Sequence, residues 1–185
     1  MIWNTTTVAE VETASTDPRC ALQRAENLAI LGTRSVLELC VGPSLRVLER
    51  AYASLGIHVV GNDIDRRWIE YYPRGEWIHG HAFEADWSPF DTVVFAPPLS
   101  RGCSGTREDS LRVDEVYPSY EEFMAVPFVG LRCMVLPARS LSTSLDRTEF
   151  NRLLSLIPGH YDVVPLTAGD RGIRKYVDVY YRSAA

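Results

Sequence analysis

Lysine is almost absent from this 185-residue chain: 18 of its 19 basic residues are arginines, and Lys175 is the exception. Arginine makes planar, two-pronged contacts with phosphate and carboxylate groups that lysine cannot make, so phosphate binding is one explanation. A genome that favours arginine codons is the other, and both stay open. The 24 acidic residues give a net charge of −5. This charge excludes the broad positive field on which non-specific nucleic-acid binding depends, so any such contact needs a local basic patch.

Long apolar runs and clustered metal ligands are also missing. No run approaches the ~18 to 20 apolar residues that a membrane-spanning helix needs, so we expect no membrane association. Residues 1–12 carry threonines and acids without a basic and then an apolar segment, so we expect no secretion signal and a cytoplasmic protein. The four cysteines are far apart and are expected to be reduced. No cluster completes a metal set around His79 and His81, so no metal is expected.

Short apolar runs alternate with helical patterns along the chain, whose length fits one domain with one core. We expect a polar leader over residues 1–16 and a single domain over residues 17–185. A helix is predicted to begin at Asp17 and Pro18, and another at Ser119, after a stretch without clear periodicity over residues 99–118. Strands are predicted over residues 35–40, 57–61, 76–79, 90–96, 132–137, 161–167 and 175–181.

The helix that starts at Asp17 and Pro18 is predicted to continue over residues 20–31, and the other helical patterns cover residues 45–55, 66–72 and 146–157. Strands that alternate with helices form parallel sheets, whereas the last two strands have the spacing of a hairpin. We therefore predict a three-layer, Rossmann-like α/β domain with a mostly parallel seven-stranded sheet and an antiparallel C-terminal hairpin. Ligands of such sheets bind at the carboxyl ends of the strands, where the strand order reverses.

Two strand ends carry residues suited to ligand binding. The first is followed by a tight turn, and the sequence there reads Glu38-Leu39-Cys40-Val41-Gly42-Pro43-Ser44. Only one of the three glycines of a dinucleotide fingerprint is present, and the Gly-Lys-Ser/Thr of a phosphate-binding loop is missing. The second strand leads into Asp63, about twenty residues past the first turn, which is the position of an acid that accepts hydrogen bonds from a ribose.

With these two segments the chain resembles the class I S-adenosylmethionine-dependent methyltransferases, over roughly residues 17–181. The resemblance implies that Asp63 holds the ribose hydroxyls of S-adenosylmethionine, that Ile64 packs on the adenine, and that His81 and Ala82 lie near its amino edge. It also implies which residues lie beside the methionine portion: Glu38, Leu39, Cys40, Gly42 and Ser44. The family commonly has Asp at position 81 and Gly at positions 40 and 44.

The fourth strand ends in a second motif, Ala96-Pro97-Pro98-Leu99. It resembles the (Asp/Asn)-Pro-Pro-(Tyr/Phe) motif of amino-methyltransferases, in which a side chain and a backbone carbonyl hold the target amine and an aromatic ring stacks on the substrate. Orienting the amine is the main catalytic contribution in such a transfer. Ala96 and Leu99 lack both side-chain functions, but the backbone carbonyl of Ala96 or Pro97 is still able to accept a hydrogen bond. These four residues are the predicted catalytic segment.

Three explanations of this departure stay open: a substrate other than a flat base amine, a substitute group from the following loop, or a loss of catalysis. The leading hypothesis is a methyltransferase acting on an amine of a nucleic acid or a protein. The alternatives are a catalytically silent methyltransferase-like subunit that binds cofactor or a partner protein, and a small-molecule methyltransferase. Candidate substrate contacts are Arg101, Cys103 and Arg107 in the loop and Arg171 and Arg174 in the terminal hairpin.

Overall fold

The computed structural model describes residues 16–97, 113–137, 144–168 and 173–182. None of the helices in these ranges is long and apolar enough to cross a membrane. The helices are α1 (Pro18–Ile30), α2 (Leu45–Ala53), α3 (Arg66–Tyr71), α4 (Val113–Ala125) and α5 (Ser144–Ser155). The strands are β1 (Ser35–Leu39), β2 (His58–Asp63), β3 (Trp77–His79), β4 (Thr92–Phe95), β5 (Leu131–Pro137), β6 (Tyr161–Ala168) and β7 (Ile173–Arg182). A short 3-10 turn, Gly42–Ser44, lies between β1 and α2.

The seven strands form one sheet in the order β3-β2-β1-β4-β5-β7-β6. Strands β1 to β5 run parallel to one another, whereas β7 runs antiparallel to both β5 and β6. The predicted Rossmann-like fold, with its parallel core and antiparallel C-terminal hairpin, is therefore confirmed. The strand order reverses between β1 and β4, which places the switch point at the carboxyl end of β1.

Hydrophobic side chains cover both faces of the sheet and form two separate cores. The buried strand β1 alternates between them: Val36 packs with Leu48 and Tyr52 under α1 and α2, whereas Leu37 packs in the core on the opposite face. Aromatic rings dominate that opposite core, where Phe95 stacks on Phe123 of α4 with ring centroids 5.0 Å apart. Helices on both faces give the expected three layers.

Helix α1 begins as predicted. The Asp17 side chain accepts a hydrogen bond from the backbone N–H of Arg19, and Pro18 occupies the first turn, where its missing N–H costs nothing.

Helix α4 begins earlier than predicted. The sequence places its start at Ser119, but the helix begins at Val113 and already includes Pro118 and Ser119. The misleading signal is Pro118, because proline inside a helix removes a backbone hydrogen bond and usually marks a boundary. Of the predicted irregular stretch 99–118, residues 99–112 lie outside the described residues.

Two strand boundaries also differ from the prediction. Strand β2 extends to Asp63 instead of ending at Gly61, so Asp63 is its last residue, in register with His79 of β3. Strand β4 begins at Thr92 instead of Phe90. Asp91 precedes it because its carboxylate accepts the backbone N–H groups of Arg34 and Ser35, at 2.9 and 3.0 Å.

Candidate functional site

The turn after β1 reverses the chain through two left-handed residues. Cys40 has φ +56° and Gly42 has φ +53°. Cys40 is the single non-glycine residue with positive φ among the described residues, a conformation in which a Cβ is strained. The backbone N–H of Gly42 then points at the end of β2, where it meets Asp63. The sharp turn brings the ends of two strands together.

Asp63 joins that turn to the segment after β2. One carboxylate oxygen accepts the backbone N–H of Gly42, and the other accepts the N–H of Asp65, both at 2.9 Å. The residue is only 9% exposed. Burial raises the pKa of Asp63 above its usual value, although the hydrogen bonds from the backbone oppose this. Each oxygen keeps a further lone pair, so the carboxylate is able to accept hydrogen bonds from a ligand as well.

Ser44 lies at the end of the same turn and is buried. Its hydroxyl oxygen accepts hydrogen bonds from the backbone N–H of Thr16 at 2.9 Å and from the Thr16 hydroxyl at 3.0 Å. Sequence reasoning placed residue 16 in a polar leader and missed this contact. The Ser44 position, where the family commonly has glycine, is thus tied to the beginning of the described chain.

The surroundings of Cys40 disfavour ionisation of its thiol. Burial and the neighbouring Asp63 carboxylate raise the pKa of its thiol to about 12. The side chain is half-buried and packs against the core on the α4 side of the sheet. The thiol is neutral at physiological pH, and the left-handed backbone of Cys40 forms part of the turn.

The residues predicted to surround an adenine lie around the ends of β2 and β3. Ile64 is 68% exposed, which is high for a large apolar side chain, and its carbonyl meets the Nε2 atom of His79 at 3.2 Å. His81 is exposed and Ala82 is buried. Ile64 therefore offers an uncovered apolar surface, and His81 a polar edge, beside the end of the sheet.

Asn62 is a residue of this edge that sequence reasoning missed. Its side-chain N–H groups donate to the carbonyls of Ile78 and Gly80, at 3.1 and 3.2 Å, and so hold the chain just before His81. Its side-chain oxygen is buried and has no hydrogen-bond partner among the described residues. The signal available was an asparagine in an otherwise apolar strand.

Glu38 is fully buried on the α1 and α2 side of β1. One carboxylate oxygen, Oε1, accepts a hydrogen bond from the Tyr52 hydroxyl, whereas the other, Oε2, has no partner in the described part of the chain. Burial raises the pKa of Glu38, while Arg24 and Tyr52 act to lower it. The sequence indicated Glu38 but gave no sign of Tyr52 or Arg24 beside it.

The predicted catalytic segment is described only at its start. Ala96 is half-buried and its backbone N–H lies 3.4 Å from the carbonyl of Leu39, which keeps the ends of β1 and β4 side by side. Pro97 is buried. Pro98 and Leu99 lie outside the described residues, as do Arg101, Cys103, Arg107 and Arg171; Arg174 is described only as part of the β7 backbone.

One cavity of the described residues lies away from the predicted site. It has a volume of about 690 Å³ and opens at the opposite end of the sheet, between Thr33, Trp87 and Phe128, and none of the predicted site residues lines it. Within the described ranges, no group of three His, Cys, Asp or Glu residues is placed to hold a metal ion. The polar groups that sequence analysis selected thus gather at one edge of the sheet, around the Gly42–Ser44 turn and Asp63.

Comparison with known proteins supports the fold. No protein-family model and no curated protein sequence matches the chain. The structure superposes on the methyltransferase domain of bacterial CtHen1 with a TM-score of 0.63 and 10% identity, over 90% of this chain and 98% of that one. It also superposes on the Burkholderia thailandensis 1,6-didemethyltoxoflavin N1-methyltransferase (TM-score 0.55, 15% identity, 90% of this chain and 80% of that one).

A third similar structure is an O-methyltransferase from Bacillus cereus, with a TM-score of 0.51 and 15% identity over 96% of this chain and 92% of that one. The Burkholderia and Bacillus proteins contain S-adenosylhomocysteine. The chain spans only about half (54%) of another similar structure, the mitomycin 7-O-methyltransferase MmcR. At these identities the likeness establishes the fold, which is that of the class I methyltransferases.

Proposed function

We propose that this protein is an S-adenosylmethionine-dependent methyltransferase whose cofactor lies across the carboxyl ends of β1 and β2. One observation carries the proposal: the buried carboxylate of Asp63 stands at the end of β2, next to the switch point at the end of β1, and accepts N–H groups from both adjoining turns. A ligand that hydrogen-bonds to Asp63 would therefore contact both turns at once. This is the position at which open α/β sheets bind nucleotides.

The surrounding residues fit the parts of that cofactor. Asp63 would accept the ribose hydroxyls, and the exposed Ile64 would cover one face of the adenine. The Oε2 atom of the buried Glu38 has no hydrogen-bond partner in the described chain, and Glu38 is close in sequence to the turn that would hold the methionine portion. When bound, the cofactor supplies a methyl group on a positively charged sulfur.

The chain's own contribution to transfer would be orientation. Ala96 offers no side-chain acceptor, so the backbone carbonyls of Ala96 and Pro97 would hold the substrate near the cofactor. The proposed acceptor is an amine of a nucleic acid or a protein, because the sequence that ends β4 resembles the segment that holds the target amine in amino-methyltransferases. The Ala96–Pro97 pair at the end of β4 supports this choice.

A small-molecule acceptor is the second candidate. The observation in its favour is that the Ala96 side chain cannot accept a hydrogen bond. A flat base amine needs two acceptors to orient it, whereas a small molecule with its own acidic group does not need them. The printed names of two similar structures, a didemethyltoxoflavin N1-methyltransferase and a mitomycin 7-O-methyltransferase, are those of small-molecule enzymes.

Calorimetric titration with S-adenosylmethionine and S-adenosylhomocysteine tests the cofactor. We expect binding of both and a thermal stabilisation that grows with ligand concentration. Asp63→Asn should weaken binding by about 10- to 100-fold, because charge-assisted hydrogen bonds contribute about 1.5 to 3 kcal/mol each.

Asp86→Asn is the matched control: this exposed carboxylate also accepts a backbone N–H, from Ser88 at 2.9 Å, but it borders the cavity at the other end of the sheet. It should bind as the wild type does. No heat and no thermal shift with either ligand would overturn the proposal. Binding without methyl transfer to RNA, DNA, protein or small-molecule acceptors would favour the catalytically silent alternative.

A further inference from the structure

A group of ionisable side chains is enclosed between helices α1 and α2 and the sheet, next to the candidate site. We call it the buried charge cluster; its members are Arg24 (α1), Glu38 (β1), Tyr52 (α2), Cys133 (β5) and Asp178 and Tyr180 (β7). All are buried. None was assigned a part in the proposed transfer except Glu38. Burial of so many ionisable groups is unfavourable unless their charges and hydrogen bonds are matched.

In one half of the buried charge cluster, the charges are paired and the hydrogen bonds are satisfied. The Arg24 guanidinium forms a two-pronged pair with Asp178, with N–O distances of 2.6 and 2.9 Å. The Tyr180 hydroxyl donates to the same carboxylate at 2.9 Å. Asp178 therefore receives three hydrogen bonds, and its negative charge is offset by Arg24.

In the other half, around Glu38, the carboxyl group has no cation of its own among the described residues and one of its oxygens has no hydrogen-bond partner there. Glu38 receives one hydrogen bond, from the Tyr52 hydroxyl to Oε1, and its Oε2 atom has no partner among the described residues. Ionised Glu38 would bring a second negative charge into a cluster that holds one cation, already paired with Asp178. A neutral carboxyl group removes that excess, and burial together with Asp178 favours the neutral form by raising the pKa of Glu38.

We propose that Glu38 carries a proton on Oε2 in the cofactor-free protein and releases it when S-adenosylmethionine or S-adenosylhomocysteine binds. The inference rests on the proposed function. The O–H bond of the carboxyl group breaks, its electron pair stays on Oε2, and the proton passes to the buffer. The cofactor's α-ammonium group would supply the positive charge that offsets the carboxylate, because opposite charges attract strongly in a site of low dielectric constant.

Tyr52 is a positioning residue in this scheme. Its hydroxyl donates to Oε1 and is able to do so whether Glu38 is neutral or ionised. That hydrogen bond is stronger to a carboxylate, so it favours the ionised form and holds the carboxyl group in one orientation. Removing the hydroxyl should make the proton harder to release without removing the charge pair Arg24–Asp178.

Calorimetry in buffers of different ionisation enthalpy counts the protons. Between pH 5.5 and 8, wild-type protein should release up to one more proton per bound S-adenosylhomocysteine than Glu38→Gln, whose amide has the same shape and does not titrate. With 5′-methylthioadenosine, which lacks the amino-acid portion, the two proteins should release the same number. Protonation of the ligand's own amine is common to both proteins and cancels in the difference.

Two tyrosine variants complete the test. Tyr52→Phe should move proton release to higher pH. Tyr72→Phe is the matched control, because the Tyr72 hydroxyl also donates to a glutamate, Glu49, but in a partly exposed pair on the surface; its proton count should equal that of the wild type. Equal counts for the wild type and Glu38→Gln, with binding intact, would overturn this inference and leave the proposed function standing. Absence of binding would overturn both.

Infrared spectroscopy of the wild type gives a second readout that does not depend on a variant that folds. The cofactor-free protein should show the C=O band of a buried protonated carboxyl group at neutral pH, and this band should disappear on addition of S-adenosylhomocysteine. A cofactor-free protein without the band would contradict the proposal even if cofactor binding is strong.

Discussion

At the scale of single residues, the most demanding feature is the charge pair Arg24–Asp178, which joins α1 to β7 across 154 positions of the chain. Burial opposes the charge on Arg24, but Asp178 more than offsets it, so the pKa of the guanidinium lies above its ordinary value. A buried ion pair stabilises a protein little more than apolar residues of the same size would. Removing one partner of the pair, however, destabilises the protein strongly, because the other charge stays buried without a counter-charge. The pair therefore fixes how α1 lies on the sheet.

This asymmetry gives a direct prediction. Arg24→Met should lower the free energy of unfolding by about 3 to 5 kcal/mol, because it leaves the Asp178 charge buried without a cation. The double variant Arg24→Met with Asp178→Leu should recover much of that loss. Chemical denaturation with urea measures both values.

Arg152→Met is the control, since its pairs with Glu121 and Glu149 are on the surface. It should change stability by no more than about 1 kcal/mol. If Arg24→Met were as mild as Arg152→Met, the ionised pair would have no part in holding α1 in place.

At the scale of elements, the site depends on close packing between β2 and the turn after β1. Gly61 leaves room for that turn: a Cβ added there would lie 2.9 Å from Cγ1 of Val41 and 2.9 Å from Cδ2 of Leu45. Real Cβ atoms do not come that close to other carbons, so a side chain at position 61 must displace its neighbours. Val41 stands between Cys40 and Gly42, so the displacement reaches the backbone that meets Asp63.

Gly61→Ala should therefore destabilise the fold by about 1 to 3 kcal/mol, as overpacking does, and also weaken S-adenosylhomocysteine binding. Gly56→Ala is the matched control: Gly56 has φ +71° and no atom within 4 Å of an added Cβ. It should lose about 1 to 2 kcal/mol of stability from backbone strain alone and keep its affinity. Thermal unfolding and titration calorimetry separate the two effects. Unchanged affinity in Gly61→Ala would show that the turn tolerates the displacement.

The elements also show what a sequence alone can establish. Strands and most helices follow from apolar runs ended by Gly or Pro, and Asp63 follows from its spacing to the first turn. Helix α4 was misplaced because Pro118 gives a boundary signal that packing overrides. Tyr52, Arg24 and Asp178 could not be found beside Glu38, because their contacts depend on how helices α1 and α2 pack on the sheet and not on any local pattern.

At the scale of the whole molecule, buried acids link the fold to pH. Burial raises the pKa of Glu38 and of Asp63 above their ordinary values. In the range between the ordinary and the raised pKa, the native state binds a proton that the unfolded state has lost. The stability that these groups contribute is therefore complete below the ordinary range of Glu and Asp, and it is lost as pH rises through the raised values.

Glu38→Gln should make the free energy of unfolding depend less on pH. For the wild type we expect the free energy of unfolding to fall with rising pH above the ordinary Glu range, by up to about 1.4 kcal/mol per pH unit for one linked proton. The amide cannot ionise, so the variant should lose that part of the slope while Asp63 continues to contribute. Glu70→Gln, at an exposed pair with Arg66, should follow the wild-type curve. Urea unfolding between pH 4 and 8 measures the slopes, and parallel curves for the wild type and Glu38→Gln would mean that folding does not raise the pKa of Glu38.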